Sequence, residues 1–227
     1  MPIPNPIRLF HITAIENLPA IFQSRALLSK NQGAQAGLNY QNIAHQGAQG
    51  TRSQRGVPNP PGGNIHDFVP FYFAPRSPML SAIHNGKVSG CTLKQEHIAH
   101  IETNVDQLVA LSQPFVFYDR NATLAFSKPY TDLSQLPHAI AWDLLTEQPQ
   151  LDGYCKYWQN SQNNERYADR MERRQAEFLL KQSLPVNAIL RIGVIDETRA
   201  QVVRTALASV GLTIPVVIKR EWYFLGQ

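Results

Sequence analysis

Apolar residues along the chain fall into two patterns, short runs and helical spacings. The runs are rich in β-branched and aromatic residues, which is typical of strands: IRLFHIT (7–13), FVPFYF (68–73), PFVFYD (114–119), AEFLL (176–180), AILRIGVI (188–195) and IPVVIKREWYF (214–224). Helical spacing predicts helices over 16–28, 77–86, 133–147 and 197–211. Because strands and helices mix without regular βαβ alternation, the pattern favours an α+β fold. No linker interrupts it, so we expect one domain over residues 1–227.

Two segments depart from these patterns. Residues 29–64 are rich in Gly, Gln, Asn, Ser and Pro, which predicts a long mobile loop with a short helix around residues 40–45. Pro70 interrupts FVPFYF, and a proline cannot donate a ladder hydrogen bond. It therefore favours an edge strand or a bulge at that position.

Composition and charge exclude several classes of protein but do not identify one. The chain has 227 residues, 43% of them hydrophobic and 17% charged, which is ordinary for a globular domain. Its net charge of +4 is a mild bias towards anionic partners such as nucleic acid or a phosphorylated cofactor. Cys91 and Cys155 are too few for a disulfide framework, and the start MPIPNPIRLF lacks the features of a secretory signal. No apolar run approaches the roughly 20 residues that cross a bilayer. We expect a soluble, cytoplasmic protein with no membrane association.

Common catalytic motifs are absent from the sequence. Neither a Walker-type phosphate loop, nor a dinucleotide-binding G-x-G-x-x-G after a strand, nor a G-x-S-x-G elbow occurs. His97 and His100 are three residues apart, but no further ligand stands at zinc-enzyme spacing. We therefore expect no metal.

Glu177 stands between a basic stretch and an apolar run. Side chains alternate along a strand, so Ala176, Phe178 and Leu180 share one face, and Glu177 shares the other with Leu179. The residues alone leave two interpretations open. Glu177 is either a solvated strand residue or a carboxylate that a rigid strand holds for chemistry.

The stretch before it, residues 154–174, interleaves aromatic and basic side chains. Aromatic faces stack on unpaired bases and cations follow phosphates, so the stretch is a candidate for single-stranded nucleic acid. Its acidic residues (Glu165, Asp169 and Glu172) leave a solvated helix as the alternative. Arg76 is a further candidate that either contacts phosphate or caps a turn. The candidate nucleic-acid contacts are Tyr154, Lys156, Tyr157, Trp158, Arg166, Arg170, Arg173, Arg174 and Arg76.

Four stretches together resemble one known family. RLFHIT followed by NLPAI, a loop that holds Arg52, HDFVPFYFAPRSPML and RRQAEFLL are similar to the DarT family of DNA ADP-ribosyltransferase toxins, from about residue 8 to about residue 195. The resemblance implies an ADP-ribosyltransferase fold, a split mixed β-sheet with peripheral helices and NAD in the central cleft. It implies transfer of ADP-ribose from NAD+, a substrate here, to a base in single-stranded DNA, with thymidine as the target. It also implies a toxin that a macrodomain-containing antitoxin neutralises.

The resemblance also implies roles for particular residues. Glu177 corresponds to the catalytic glutamate, which stabilises positive charge on the sugar as the nicotinamide bond breaks. Arg52 is implied in catalysis and in NAD binding; Thr51 stands where the family commonly has another arginine, and Arg55 is the alternative. Phe71 belongs to an aromatic run whose members either stack on a ligand or fill the core. The cofactor-binding residues implied are His11, Ile12, Thr13, Asn17, Ala20, Leu28, Arg52 and Phe71.

Two other functions remain open at this point. A transferase of the same fold could act on RNA or protein, or merely hydrolyse NAD. A protein of another class, a non-catalytic module that binds single-stranded nucleic acid, would also explain the basic and aromatic stretch.

Overall fold

A computed structural model describes residues 3–44 and 46–225, apart from the side chain of Gln46. The strands are β1 Arg8–Ala14, β2 Ala26–Leu28, β3 Phe68–Tyr72, β4 Ile98–Asn104, β5 Phe115–Tyr118, β6 Pro129–Tyr130, β7 Gln150–Leu151, β8 Tyr154–Cys155, β9 Glu177–Lys181, β10 Ser183–Pro185, β11 Arg191–Val194 and β12 Val216–Ile218. The helices are α1 Leu18–Gln23, α2 Lys30–Gln35, α3 Gln46–Gln54, α4 Pro78–His84, α5 Val105–Ala110, α6 Leu136–Ala139, α7 Trp142–Leu145, α8 Arg170–Arg173 and α9 Glu197–Ser209.

One large mixed sheet organises the molecule. Its strand order is β12-β11-β4-β1-β3-β9-β5-β6, with β11 and β12 parallel and the other pairs antiparallel. Two small sheets, β10-β2 and β7-β8, lie outside it. Helices are peripheral, so the predicted α+β class with a mixed sheet is confirmed.

The large sheet splits between β1 and β3. Strand β1 pairs with β4 along its whole length, from Arg8 to Ala14, but its register with β3 is limited to Phe10 opposite Tyr72. Where the two strands separate, Nδ1 of His11 donates to the carbonyl oxygen of Pro70 at 2.9 Å. The prediction of an edge strand or bulge at Pro70 was wrong, because β3 is central. The missing N–H is tolerated because no partner strand pairs with Pro70 on the β1 side.

Strand β9 buries both of its faces. Phe178 and Leu180 enter the main core, whereas Leu179 enters a smaller cluster with Phe68 and Tyr118. The alternation predicted for AEFLL is therefore correct. Glu177 is only 1% exposed, so its interpretation as a solvated strand residue was wrong.

Residues 29–64 are more ordered than their composition predicted. They contain α2 and α3, and the Ser29 side chain caps α2 by accepting the N–H of Gln32. The helix expected around 40–45 is absent from residues 40–44, and His45 lies outside the described residues. Helix α3 has a polar, glycine-containing sequence that shows no apolar stripe. Tertiary contacts of its side chains, given below, account for its position.

Three other elements differ from those that the hydrophobic pattern predicted. The helix predicted over 16–28 ends early, because Arg25 has a left-handed φ of +58° and β2 follows. The helix predicted over 133–147 is broken where Ile140 is extended. The last predicted strand stops at Ile218, and a 3-10 turn, Arg220–Trp222, then buries Trp222 completely. Helix α9 is close to its prediction and is followed by Gly211 at φ +66°.

Candidate active site

Glu177 begins β9 at the cleft side of the split sheet. It pairs with Tyr72 of β3 on one side and with Tyr118 of β5 on the other. Its carboxylate accepts Nη1 of Arg52 at 3.0 Å and 3.2 Å on its two oxygens, and the Ala122 N–H at 3.0 Å. The rigid backbone of β9 and the two donors, Nη1 of Arg52 and the N–H of Ala122, hold this buried anion in one orientation.

Arg52 reaches the carboxylate from α3. Its side chain is 12% exposed, and Nη2 has no hydrogen-bond partner among the residues that the structure describes. Arg52 lines the cavity beside Glu177, whereas the alternative, Arg55, is not part of that lining. The geometry therefore favours Arg52 as the arginine of the site.

A cavity of about 400 Å³ lies in the cleft. Its walls come from β1, the segment 27–44, α3, β3, residues 121 and 123, and the start of β9. The residues that sequence analysis implied and that line this cavity are His11, Ile12, Thr13, Asn17, Leu28, Arg52 and Glu177. Their roles stay predictions, but the fold brings them to one place.

Asn17 fastens one wall of the cavity. Its amide donates to Oγ1 of Thr13 and to the carbonyl oxygen of Gln41, both at 3.1 Å, and its Oδ1 accepts the Gln41 N–H at 2.7 Å. The side chain thereby ties β1 to the loop before α3. This arrangement gives Asn17 a positioning role in the cavity wall.

His11 is a neutral imidazole with a defined tautomer. Burial lowers its pKa to about 4, the nearby Arg52 charge acts in the same direction, and the Pro70 hydrogen bond opposes both. Because a carbonyl oxygen can only accept, Nδ1 carries the proton and Nε2 keeps its lone pair. His11 therefore offers a ligand an acceptor for an amide or hydroxyl proton.

Sequence reasoning missed a cluster that anchors α3. Oε1 of Gln49 accepts Nζ of Lys30 at 2.6 Å and Nε2 of His66 at 3.0 Å. Burial and the charges of Lys30 and Arg52 lower the pKa of His66 to about 4. Gln49 precedes Arg52 by about one helical turn, so these bonds position the helix that carries Arg52. No local pattern marks Gln49 in its polar surroundings.

Two expected NAD contacts are corrected by the structure. Phe71 is fully buried in the core opposite Phe178, because alternation along β3 turns Pro70 and Tyr72 to the cavity instead. Ala20 lies on α1 and is not part of the cavity lining.

Two of the expected nucleic-acid contacts are internal supports. Nη1 of Arg174, a residue only 2% exposed, donates to the carbonyl oxygens of Leu144, Cys155 and Tyr157. Arg170 is 6% exposed and pairs with Glu147 at 3.2 Å. Neither guanidinium is free to meet a phosphate, which corrects the prediction for both.

Tyr154 and Arg76 are corrected in the same way. Tyr154 is buried edge-to-face against Phe10. Arg76 is 5% exposed and donates to the carbonyl oxygen of Lys156, which resembles the turn-supporting alternative. The candidates that keep accessible surface are Lys156, Tyr157, Trp158, Arg166 and Arg173.

A metal centre would need a cluster of ligating side chains in residues 3–44 and 46–225. Within these ranges, no group of three or more His, Cys, Asp or Glu side chains is placed to hold a metal ion. No helix in the same ranges combines the length and apolar character that a bilayer crossing needs.

Comparison with known proteins gives consistent matches over the whole chain. A DNA ADP-ribosyl transferase of Thermus aquaticus is 34% identical over 223 residues, which are 97% of this chain and 90% of the relative. The structure of Thermus sp. 2.9 DarT in complex with ADP-ribosylated ssDNA matches with a TM-score of 0.86 and 31% identity, covering 99% of each chain. The structure of the same relative in complex with NAD+ matches with a TM-score of 0.81 and 30% identity, covering 98% of this chain and all of the other.

The split sheet, the cleft and these matches define an ADP-ribosyltransferase. The family model described as "ssDNA thymidine ADP-ribosyltransferase, DarT" matches residues 10–224. The chain belongs to the DarT family, which confirms the resemblance seen in the sequence.

Proposed function

We propose that this protein transfers ADP-ribose from NAD+ to a thymine base in single-stranded DNA. The relatives support the reaction class, since one is solved with NAD+ and with ADP-ribosylated ssDNA, and the family description includes thymidine. The observation that carries the proposal is the buried carboxylate of Glu177, held by Arg52 at the wall of the cleft.

The cleft has the donor and acceptor groups that NAD+ needs. Nε2 of His11 and the Thr13 side chain serve hydroxyl and amide groups, while Lys30 and Arg52 bring positive charge to the same cavity for a pyrophosphate. The cavity is also bounded by aromatic and aliphatic side chains that suit flat rings. NAD+ is therefore the substrate that best fits this donor set.

Glu177 stabilises the transition state of nicotinamide departure. As the bond between the ribose carbon and nicotinamide breaks, its electron pair goes to the ring nitrogen and positive charge develops on the sugar. A carboxylate that is already fixed lowers the energy of this charge without reorganising. It also accepts a hydrogen bond from a ribose hydroxyl.

A thymine nitrogen then forms the new bond to the same ribose carbon and its proton passes to water, so that the products are ADP-ribosylated thymine, nicotinamide and H+. Arg52 does not take that proton, because a guanidinium has only N–H donors and no acceptor. Its charge instead stabilises the base as the negative charge on it grows. The target base must leave any duplex to reach the cleft, which favours a single strand.

Intact mass measurement tests the proposal. Purified protein, NAD+ and oligonucleotides with or without thymine are mixed, and RNA of the same sequence is run in parallel. We expect one added ADP-ribose on thymine-containing DNA, and its loss with Glu177→Gln, which preserves the side-chain volume. Consumption of NAD+ without labelled DNA would favour a glycohydrolase. Binding of oligonucleotide without turnover would favour the non-catalytic module.

The biological role proposed is that of a toxin with a macrodomain-containing antitoxin. It is supported by the sequence resemblance to the toxin family. Expression of the wild type should stop bacterial growth, whereas Glu177→Gln should permit it. Co-expression of an active macrodomain hydrolase should restore growth and remove ADP-ribose from the DNA. Equal growth arrest by the wild type and Glu177→Gln would contradict a role based on catalysis.

A further inference from the structure

Phe126 is the most exposed large hydrophobic side chain of the described residues. It is 61% exposed and lies in the connection between β5 and β6, which we call the 119–128 loop. The guanidinium carbon of Arg120 lies 5.6 Å from the centroid of the ring. A ring supported by a cation and left mostly in solvent contributes little to the core, and its face is accessible to a flat ligand.

The same loop reaches the reactive carboxylate. The N–H of Ala122 donates to Glu177 at 3.0 Å, and Asn121 and Thr123 line the cavity of the cleft. Phe126 therefore lies on the same loop as Asn121, Ala122 and Thr123, which border the site where the sugar and the target base must meet. A DNA strand that delivers a base to Glu177 has to pass this loop or its neighbours.

Arg120 also joins the loop to the basic stretch before β9. Its Nη2 pairs with Asp169 at 3.0 Å, and Oδ1 of Asp169 accepts Nε of Arg173 at 2.8 Å. Arg120 and Arg173 line a second cavity of about 510 Å³, with Asp143 and His138 among its other walls. This cavity lies across residues 119–123 from the cleft, since Asp119 and Arg120 face it and Asn121 and Thr123 face the cleft.

We propose that Phe126 is the stacking platform for a base that flanks the target nucleotide, with Arg120, which Asp119 and Asp169 hold in place, supporting the ring. Stacking is tolerant of sequence, and cations beside an aromatic ring are the usual composition of single-strand sites. The inference rests on the proposed function, because it assumes that single-stranded DNA enters this cleft. It assigns binding to a loop that the sequence patterns did not indicate.

Steady-state kinetics of Phe126→Ala test the platform. We expect the KM for a thymine-containing oligonucleotide to rise about fivefold to a hundredfold, while the KM for NAD+ stays at the wild-type value. Phe126→Trp should keep the wild-type KM for DNA. The matched control is Val202→Ala on α9, which removes a side chain that is 53% exposed and should change neither constant.

A second measurement separates stacking from a general surface effect. An oligonucleotide with an abasic position beside the target should bind the wild type more weakly, but should lose little further affinity for Phe126→Ala. An unchanged KM for DNA in Phe126→Ala, or additive losses with the abasic strand, would overturn the platform while the proposed function stands. Absence of DNA modification and of DNA binding by the wild type would remove both.

Discussion

Arg52 and Glu177 form a buried ion pair between residues 125 positions apart, with Nη1 at 3.0 Å and 3.2 Å from the two carboxylate oxygens. The pair links the polar helix α3 to the first residue of β9. A carboxylate that is 1% exposed needs such a partner, because an uncompensated buried charge is strongly destabilising. The same contact thus stabilises the cleft and orients the anion that the reaction needs.

Replacement of Arg52 by lysine should reduce catalysis more than stability. Lysine keeps the charge, but its ammonium cannot reproduce the planar donor set of a guanidinium. We expect kcat for DNA modification to fall about a hundredfold or more, with a melting temperature close to that of the wild type. Mass measurement of the DNA product at fixed reaction times gives kcat, and thermal unfolding gives the melting temperature. A loss of kcat of less than about threefold would exclude a specific role for the guanidinium.

A double-mutant cycle measures the contribution of the Arg52–Glu177 ion pair to the free energy of unfolding, independently of catalysis. Arg52→Met removes the cation and leaves Glu177 uncompensated, which should lower the free energy of unfolding by about 3 kcal/mol. The double variant Arg52→Met/Glu177→Leu removes both charges and should recover most of that loss. Urea denaturation measures the wild type, the single variants Arg52→Met and Glu177→Leu, and the double variant. If the double variant is as unstable as the sum of the two single changes, the residues do not interact.

His11 should determine NAD+ affinity and not DNA affinity. In His11→Ala the carbonyl oxygen of Pro70 loses its donor, and the cleft loses the acceptor at Nε2. We expect the KM for NAD+ to rise about tenfold, the value of one net hydrogen bond of about 1.4 kcal/mol. The KM for DNA should stay constant, and the exposed His97→Ala is the matched control. Parallel increases in both constants would indicate general disruption.

The buried and exposed arginines of the basic stretch should behave differently. Arg174→Ala removes the donor of three carbonyl oxygens and leaves a void in the core, so it should cost about 2–4 kcal/mol of stability. Arg166→Ala, at a side chain that is 44% exposed, should change stability by less than about 0.5 kcal/mol. It should weaken DNA binding and reduce the dependence of that binding on salt. Equal stability of the two variants would contradict the internal role of Arg174.

The protein should lose stability as the pH falls from 6.5 towards 4. Burial lowers the pKa of the fully buried His100 from 6.5 to about 4, partly opposed by its hydrogen bond to Pro75. Between those values the unfolded chain binds a proton that the folded chain rejects, so the free energy of unfolding falls by up to about 1.4 kcal/mol per pH unit. The full contribution is present above pH 6.5. His11 and His66 act in the same direction.

His100→Gln isolates this contribution. A glutamine amide can still donate to Pro75 but does not titrate, so stability should fall less steeply with acid than in the wild type. Urea denaturation at about pH 7 and about pH 5 measures the slope. An identical slope in wild type and variant would show that His100 does not contribute.

Local sequence patterns were sufficient to predict part of the site. The alternation in AEFLL correctly separated Glu177 and Leu179 from Phe178 and Leu180, since side-chain direction along a strand follows from the backbone alone. At Phe71 the sequence left stacking on a ligand and core packing open, because only the pairing of β3 with β9 decides which face of β3 meets the cleft. The polar helix α3 had no apolar period, so its place depends on contacts made by Lys30, His66 and Glu177.

By itself, the sequence determined the class of fold and the main strands of the sheet, because short-range periodicity encodes these directly. Its resemblance to known proteins determined the DarT family and singled out Glu177. Only the tertiary structure decided which side chains are accessible. Arg174 finds its carbonyl partners 17 to 30 positions away, and Pro70 lies in the centre of a sheet that splits beside it. Burial and pairing depend on segments that are distant in the chain, and no local pattern records which distant segment will be the neighbour.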